Sequence, residues 1–374
     1  AQKIGATIKQ NLAANLAPSA LFGRITSFVG EVIHAADEVG DLSEQLNISV
    51  EDVQRLQILA SKSGLAFNDY AKAIDSLKEL WGGLFTAEIF ESGFQAVASN
   101  LMRLLRSSRH GDAENDTSIV NAMLNTTPLH AYLNRNLDME QVHQRLRTLP
   151  DHALAFNCFD YSDRRNMTFF ETLGNLSEWI GPNAGGKRFS LTVEHIMASC
   201  AAPLLFPPVL MDGHYYGDGS LRNITPLQSA IRLGADRIIN ISLSGEAFKR
   251  ERHETPTLGR IASTLFDGMF LDSLELDSHV LERINTLTER LPEKDRDTKM
   301  IDLCRVAPMF DFSLIAQRHR NRFPRTLRYL FGGWITPDML SYLLFDGEYA
   351  RELIEYGRKD GESYKDMVEE WLRN

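Results

Sequence analysis

Two adjoining stretches decide how the 374-residue chain is read: Ala198-Ser199-Cys200-Ala201-Ala202-Pro203-Leu204-Leu205-Phe206-Pro207-Pro208-Val209, then Met211-Asp212-Gly213-His214-Tyr215-Tyr216-Gly217-Asp218-Gly219-Ser220. The first closes a helix that starts near Val193 and runs to about Cys200. Proline removes a backbone donor and fixes φ, so the chain beyond Pro203 leaves the helix as a loop. In the second stretch Asp212-Gly213 is a tight-turn dipeptide, and Gly217 and Gly219 bracket Asp218 between hydrophobic segments. Glycine takes backbone conformations that other residues resist, so this bracket holds a carboxylate at a fixed angle. Asp218, with Gly217 and Gly219 as its supporting turn, is the leading candidate for a working residue. The plainer alternative is an aspartate that only bonds its own turn amides.

Working outward, His152-Ala153-Leu154-Ala155-Phe156-Asn157-Cys158-Phe159 reads as a strand. Asn166 to Phe170 pairs with it as a hairpin across Asp160-Tyr161-Ser162-Asp163-Arg164-Arg165. Arg237 to Leu243 is a β-branched run of the kind found in buried parallel strands, and beyond Thr257 the pattern is helical. Upstream, Thr127-Pro128 opens a helix, and the polar run from Ser107 to Asp116 reads as a loop. From Leu21 to about Trp81 apolar residues recur at helical spacing: Ile25, Phe28, Val29, Val32, Ile33 and Ala36, then Val53, Leu56 and Leu59, then Tyr70, Ile74, Leu77 and Trp81. No internal repeat or low-complexity tract is present.

Composition sets outer limits. With 43% hydrophobic and 24% charged residues, the chain has the make-up of a globular protein able to bury a substantial core. A formal charge of -10 argues against nucleic acid as a partner, because phosphate neutralisation needs a basic surface. Cys158, Cys200 and Cys304 are too few and too scattered for a disulfide framework, which points to a reducing compartment. No apolar run is long enough to span a bilayer, so the expected location is cytoplasmic or peripheral to a membrane. The chain opens on Ala1 without a secretory pattern, which suggests that an upstream piece was removed. No motif asks for a cofactor or a metal.

A carboxylate placed like Asp218 takes a proton from a serine hydroxyl when the two oxygens lie within hydrogen-bond reach. Yet no G-x-S-x-G nucleophile elbow exists anywhere in the chain. Ser199 and Ser220 are the serines close in sequence, and neither stands in a strand-to-helix elbow. His195, one turn into a helix, and His214, just after the tight turn, read as structural residues. Gly185-Gly186-Lys187-Arg188 lacks the Walker spacing of a phosphate loop and is expected to be a flexible loop. Arg318, Arg320, Arg322, Arg325 and Arg328 cluster around His319. Basic residues near an anionic membrane contribute about 1 kcal/mol each, but a solvated helix face explains the cluster equally well.

Taken together, several blocks resemble those of patatin-like phospholipases of bacteria, over residues of about 71 to 374. They are Leu80-Trp81-Gly82-Gly83-Leu84, Asn125-Thr126-Thr127-Pro128-Leu129, Thr192-Val193-Glu194-His195-Ile196-Met197-Ala198-Ser199, Phe206-Pro207-Pro208-Val209, Tyr216-Gly217-Asp218-Gly219-Ser220 and Asn223-Ile224-Thr225-Pro226-Leu227. The resemblance implies a three-layer α/β fold with flanking helices that hydrolyses acyl esters of lipids through a Ser–Asp dyad. Asp218 stands at the dyad aspartate and Gly219 at the glycine after it. Ser220 occupies a position usually held by Gly or Ala.

One departure is large. The family's glycine-rich oxyanion loop and G-x-S-x-G serine should precede the Leu80-Trp81 block, and neither is there. Instead, residues 1 to about 70 resemble a phage tail tape-measure protein, notably from Ala35 to Ser49 and from Val53 to Gln57. The chain therefore reads as a composite: an all-helical segment over 1–70, joined between Phe67 and Leu77 to an α/β hydrolase domain over 71–374 that lacks its nucleophile portion. Losing the first strand of a sheet exposes edge groups, so self-association joins a lipid or acyl-ester substrate and a membrane surface among the expected partners. The competing readings are a catalytically inactive scaffold and a phage-related structural protein.

Overall fold

The computed structural model describes residues 67–107, 122–222, 227–243, 261, 264, 265, 272–290, 299–331 and 335–373. Most of the helical pattern read between Leu21 and Trp81 lies outside them. By its internal contacts the chain divides into Ala1–Glu79 and Leu80–Asn374. The described end of the first unit belongs to helix α1 (Phe67–Gly82), and all that follows concerns the second.

The fold is mixed α/β, with a mainly antiparallel central sheet flanked by helices. Strands β1 (Ala153–Asp160), β2 (Arg165–Thr172), β3 (Trp179–Ile180), β4 (Ala184–Arg188), β5 (Val209–Met211) and β6 (His214–Asp218) form one sheet in the order β3-β4-β2-β1-β6-β5. The β1–β2 hairpin runs in register from Ala153↔Thr172 to Asp160↔Arg165, so its loop is tighter than the sequence pattern suggested. Asp160 closes that loop by accepting the amides of Ser162 and Asp163 on Oδ1, at 2.8 and 3.1 Å. The β5–β6 hairpin turns at Asp212 (φ 49°) and Gly213 (φ 81°). Positive φ at both central residues is the turn whose twist suits two strands joined by two residues.

The Gly185-Gly186-Lys187-Arg188 segment is not a loop; it is β4, parallel to β2 from Asn166↔Ala184 to Phe170↔Arg188. A Cβ on Gly186 would lie 2.2 Å from the Trp179 ring, which stacks on Phe170 at 5.6 Å. The glycines make room for an indole. Arg188 binds no anion either: its guanidinium donates to the carbonyls of Thr172, Gly174 and Leu176 at 2.7 to 2.8 Å.

One face of the sheet packs on helix α6 (Val193–Ser199), burying Cys158, Phe169, Leu191, Ala198 and Tyr216. His195 sits within this layer, 2% exposed, between the rings of Phe169 and Phe189 at about 5 Å. Its Nδ1 accepts the Thr192 amide at 3.1 Å, and burial lowers its pKa. The structural role expected for it fits these contacts. A histidine kept neutral in the fold but free to protonate when unfolded costs stability as pH falls. Melting temperature should therefore drop as pH falls from the ordinary imidazole range toward His195's lowered value. His195→Gln should flatten that part of the profile, and an unchanged slope would contradict the assignment.

The helical layer contains α2 (Thr86–Ile89), α3 (Phe94–Ser107), α4 (Thr127–Asn136), α5 (Met139–Arg147), α7 (Gln228–Arg232), α8 (Asp272–Glu289), α9 (Phe312–Arg318), α10 (Arg325–Phe331), α11 (Pro337–Leu343) and α12 (Gly347–Arg373). Pro128 starts α4 as expected, since its missing amide costs nothing in a helix's first turn. Phe90, fully buried, is central to the largest apolar cluster, with Phe206 and Phe345 each at 6.1 Å. At one end of α12, Gly347 lies so close to the Gly82 carbonyl that a Cβ would stand 2.1 Å from it, and Arg351 donates to that same oxygen at 2.7 Å. At the other end the Arg237 guanidinium stacks 4.1 Å over the Trp371 ring and donates to the Trp371 carbonyl.

Strand β7 (Arg237–Ile241) pairs in parallel with β8 (Asp302–Val306) as a separate two-stranded sheet. Two expectations change here. Beyond Thr257 the chain is not wholly helical, because the Asp302–Val306 run is recruited by a partner 65 positions away in register. Nor is β7 buried on both faces: Ile238 and Asn240 are buried, whereas Ile239 and Ile241 are 43% and 74% exposed. The arginine cluster also has defined partners. Arg318 and His319 both reach Glu352 at 2.6 Å, and Arg322 pairs with Asp346 and Glu348. These side chains tie α9 and the turn after it to the start of α12.

Candidate active site

Asp218 ends β6, directly across from Cys158 of β1. Its amide donates 3.0 Å to the Ala201 carbonyl, so the loop leaving α6 fixes the backbone on one side. On the other side a four-residue 3-10 turn, Gly219–Arg222, carries the chain off the sheet. Facing strands put Cys158, Tyr216 and Asp218 on the α6 side and Asn157 on the opposite side. Asn157 is locked there, its Oδ1 accepting from Thr168 and Ser229 at 2.8 Å each.

The two glycines serve a purpose other than the one inferred from sequence. Among the described glycines only Gly213 and Gly234 have positive φ, so Gly217 and Gly219 are not there for an unusual backbone conformation. They are there for close approach. A Cβ on Gly217 would meet the Tyr161 ring at 2.7 Å, and one on Gly219 would meet the Asn157 carbonyl at 2.6 Å. The second obstacle is backbone, which cannot step aside, so Gly219 lets the Asp218 turn rest against β1.

The Asp218 carboxylate is half-buried. Burial raises its pKa, and the hydrogen bonds from Ser220 partly oppose the rise. Ser220 donates twice to the same oxygen: its amide to Oδ1 at 2.9 Å and its hydroxyl to Oδ1 at 2.6 Å. No bond to Oδ2 occurs among the described residues. Neighbouring acids respond to the buried charge. Burial, then Asp218, raises both the Cys158 thiol and the Tyr161 phenol. Cys158 is thus not poised as a thiolate nucleophile.

Residues 66–231 match the family model of patatin-like phospholipases. The patatin-matching segment thus contains α1 to α6, the whole six-stranded sheet and the Asp218 turn. It supports a lipid acyl hydrolase at the level of the family. Neither a curated protein nor a solved structure matches the chain.

Within this segment one of the other sequence candidates meets the carboxylate and the rest do not. Ser220 is the hydroxyl that reaches Asp218, and Ser199 ends α6 without a described bond to it. His214 lies at the far end of β6, its Nδ1 2.9 Å from the buried Asp160 Oδ2. Asp160, Asp163 and His214 offer ligand atoms within 4.8 Å of one another, the kind of grouping that can hold a cation. The two turn amides and His214 already engage both Asp160 oxygens, which accounts for the grouping as a hairpin lock. The contributions of Asn157, Tyr161 and the Ala201 carbonyl escaped sequence reading.

Proposed function

We propose that this chain is a lipid acyl hydrolase of patatin type, in which Asp218 is the general base of a Ser–Asp dyad. The observation that carries the proposal is a single one: a carboxylate with its pKa raised by burial, one oxygen engaged and the other unbonded among the described residues, inside the segment that the family model matches. In this mechanism Oδ2 takes the proton of a serine hydroxyl as that oxygen attacks the ester carbonyl. The proton then passes to the departing alcohol, and water attacks the acyl-serine by the same route in reverse. The nucleophile is a serine at a position without the G-x-S-x-G signature or one from another polypeptide. The half-exposed face of β7 supports self-association as the route by which a second chain approaches. Among the described residues no helix is long and apolar enough to cross a membrane, so lipid would be met at a surface. The same proposal divides the chain into a tape-measure-like segment over 1–70, all but the last few of which lie outside the described residues, and a hydrolase domain over 71–374.

A second reading is the inactive scaffold. The described hydroxyl on Asp218 belongs to a capping turn, and that favours it. A fluorophosphonate probe separates the two. Mass spectrometry should find one labelled serine on the folded chain or on its co-purifying partner, and its adduct should disappear in Asp218→Ala. A folded preparation with no adduct on any polypeptide defeats the hydrolase reading.

A further inference from the structure

We infer that Ser220 is a positioning residue for Asp218: its amide and hydroxyl clamp Oδ1 and so leave Oδ2 as the oxygen that receives a proton. This rests on the reading of Asp218 as a base and deepens it by assigning which carboxylate oxygen works and what holds it.

The geometry is specific. Both donors of Ser220 converge on Oδ1, at 2.9 Å from the amide and 2.6 Å from the hydroxyl. The hydroxyl contact lies toward the short end of the range for an O–H···O hydrogen bond. A second copy of the arrangement exists in the same chain: at the start of α9, Asp311 Oδ1 accepts the Ser313 amide at 2.9 Å and the Ser313 hydroxyl at 2.6 Å. There the clamp caps a seven-residue helix. The Asp-x-Ser turn is thus a unit that this chain uses for holding a carboxylate still, and at Asp218 it is set into the half-buried end of a strand. The hydroxyl does a second thing there. By donating to the charged form it works against the desolvation that raises Asp218. The amide opposes the rise as well, but every residue at position 220 except proline carries it, so the hydroxyl is the part that serine adds.

The test is a carbon-13 NMR titration of the Asp218 side-chain carboxyl in the full chain, with melting temperature and circular dichroism to establish folding. In Ser220→Ala the Asp218 midpoint should move upward. Ser220→Thr, which restores a hydroxyl, should return it to the wild-type position. Ser313→Ala, which breaks the twin clamp at Asp311, should leave it unmoved. A role confined to folding would change melting temperature without moving the midpoint. A folded Ser220→Ala or Ser220→Gly with the wild-type midpoint overturns the inference. Ester hydrolysis is scored separately: a shifted midpoint supports the clamp whatever the rate, whereas a wild-type chain that hydrolyses no ester counts against the hydrolase reading alone.

Discussion

Replacing Asp218 by asparagine should lower ester hydrolysis by about 100- to 10,000-fold, the contribution of a positioned general base, and should raise the melting temperature at neutral pH. The two effects share one cause. Burial raises the Asp218 pKa, so the stability linked to its protonated form is complete below the ordinary carboxylate range. It is lost as pH rises through the raised folded value. Asparagine keeps an oxygen for the Ser220 donors and never ionises, so the gap in melting temperature between variant and wild type should open with increasing pH. Calorimetry across pH, beside initial rates on a short-chain ester, checks both halves. Equal rates would remove the base, and a gap that is the same at every pH would remove the buried charge. A stabilising change that abolishes activity is the signature expected of a group placed for function at the expense of folding.

Phe90→Ala should destabilise the fold by about 3 to 5 kcal/mol, the range for emptying a phenylalanine from a packed core. Phe90 is completely enclosed, follows α2 directly, and meets Phe206 from the loop after α6 and Phe345 from the segment after α11. It therefore holds together parts of the chain far apart in sequence, one of which leads to Asp218. Chemical denaturation should show the loss as a shift in midpoint at an unchanged slope. Phe90→Leu, which keeps most of the volume, should recover much of it. A loss below about 1 kcal/mol would mean that the site collapses freely and that the cluster is not close-packed.

The parts of the fold legible in the sequence are those specified by local chemistry. The β1–β2 hairpin follows from its apolar run and a polar loop, the β5–β6 turn from Asp212-Gly213, and α6 from its spacing up to the prolines. Strand β4 was missed because Gly185 and Gly186 look like a loop until the Trp179 ring that covers them is known. Strand β8 was missed because five residues are too few for a pattern, and its partner is remote. At the candidate site the turn that carries Asp218 was legible, but the reason for its glycines was not. Sequence suggests torsional freedom; the limit at Gly219 is instead the Asn157 carbonyl lying against it, a contact between strands that are not adjacent in the chain.

Helix α12 is 27 residues long, or about 40 Å at the usual rise per residue. One end is pinned at Gly82 by Gly347 and Arg351, the other at β7 by Trp371. It is a strut fixed at both tips. Gly357 and Gly361 stand one turn apart along its length, with nothing within 4 Å of where a Cβ would be, and glycine inside a helix costs about 1 kcal/mol relative to alanine. Between its pins the rod therefore holds two positions where an added methyl meets no obstacle, and alanine at either should favour the helix.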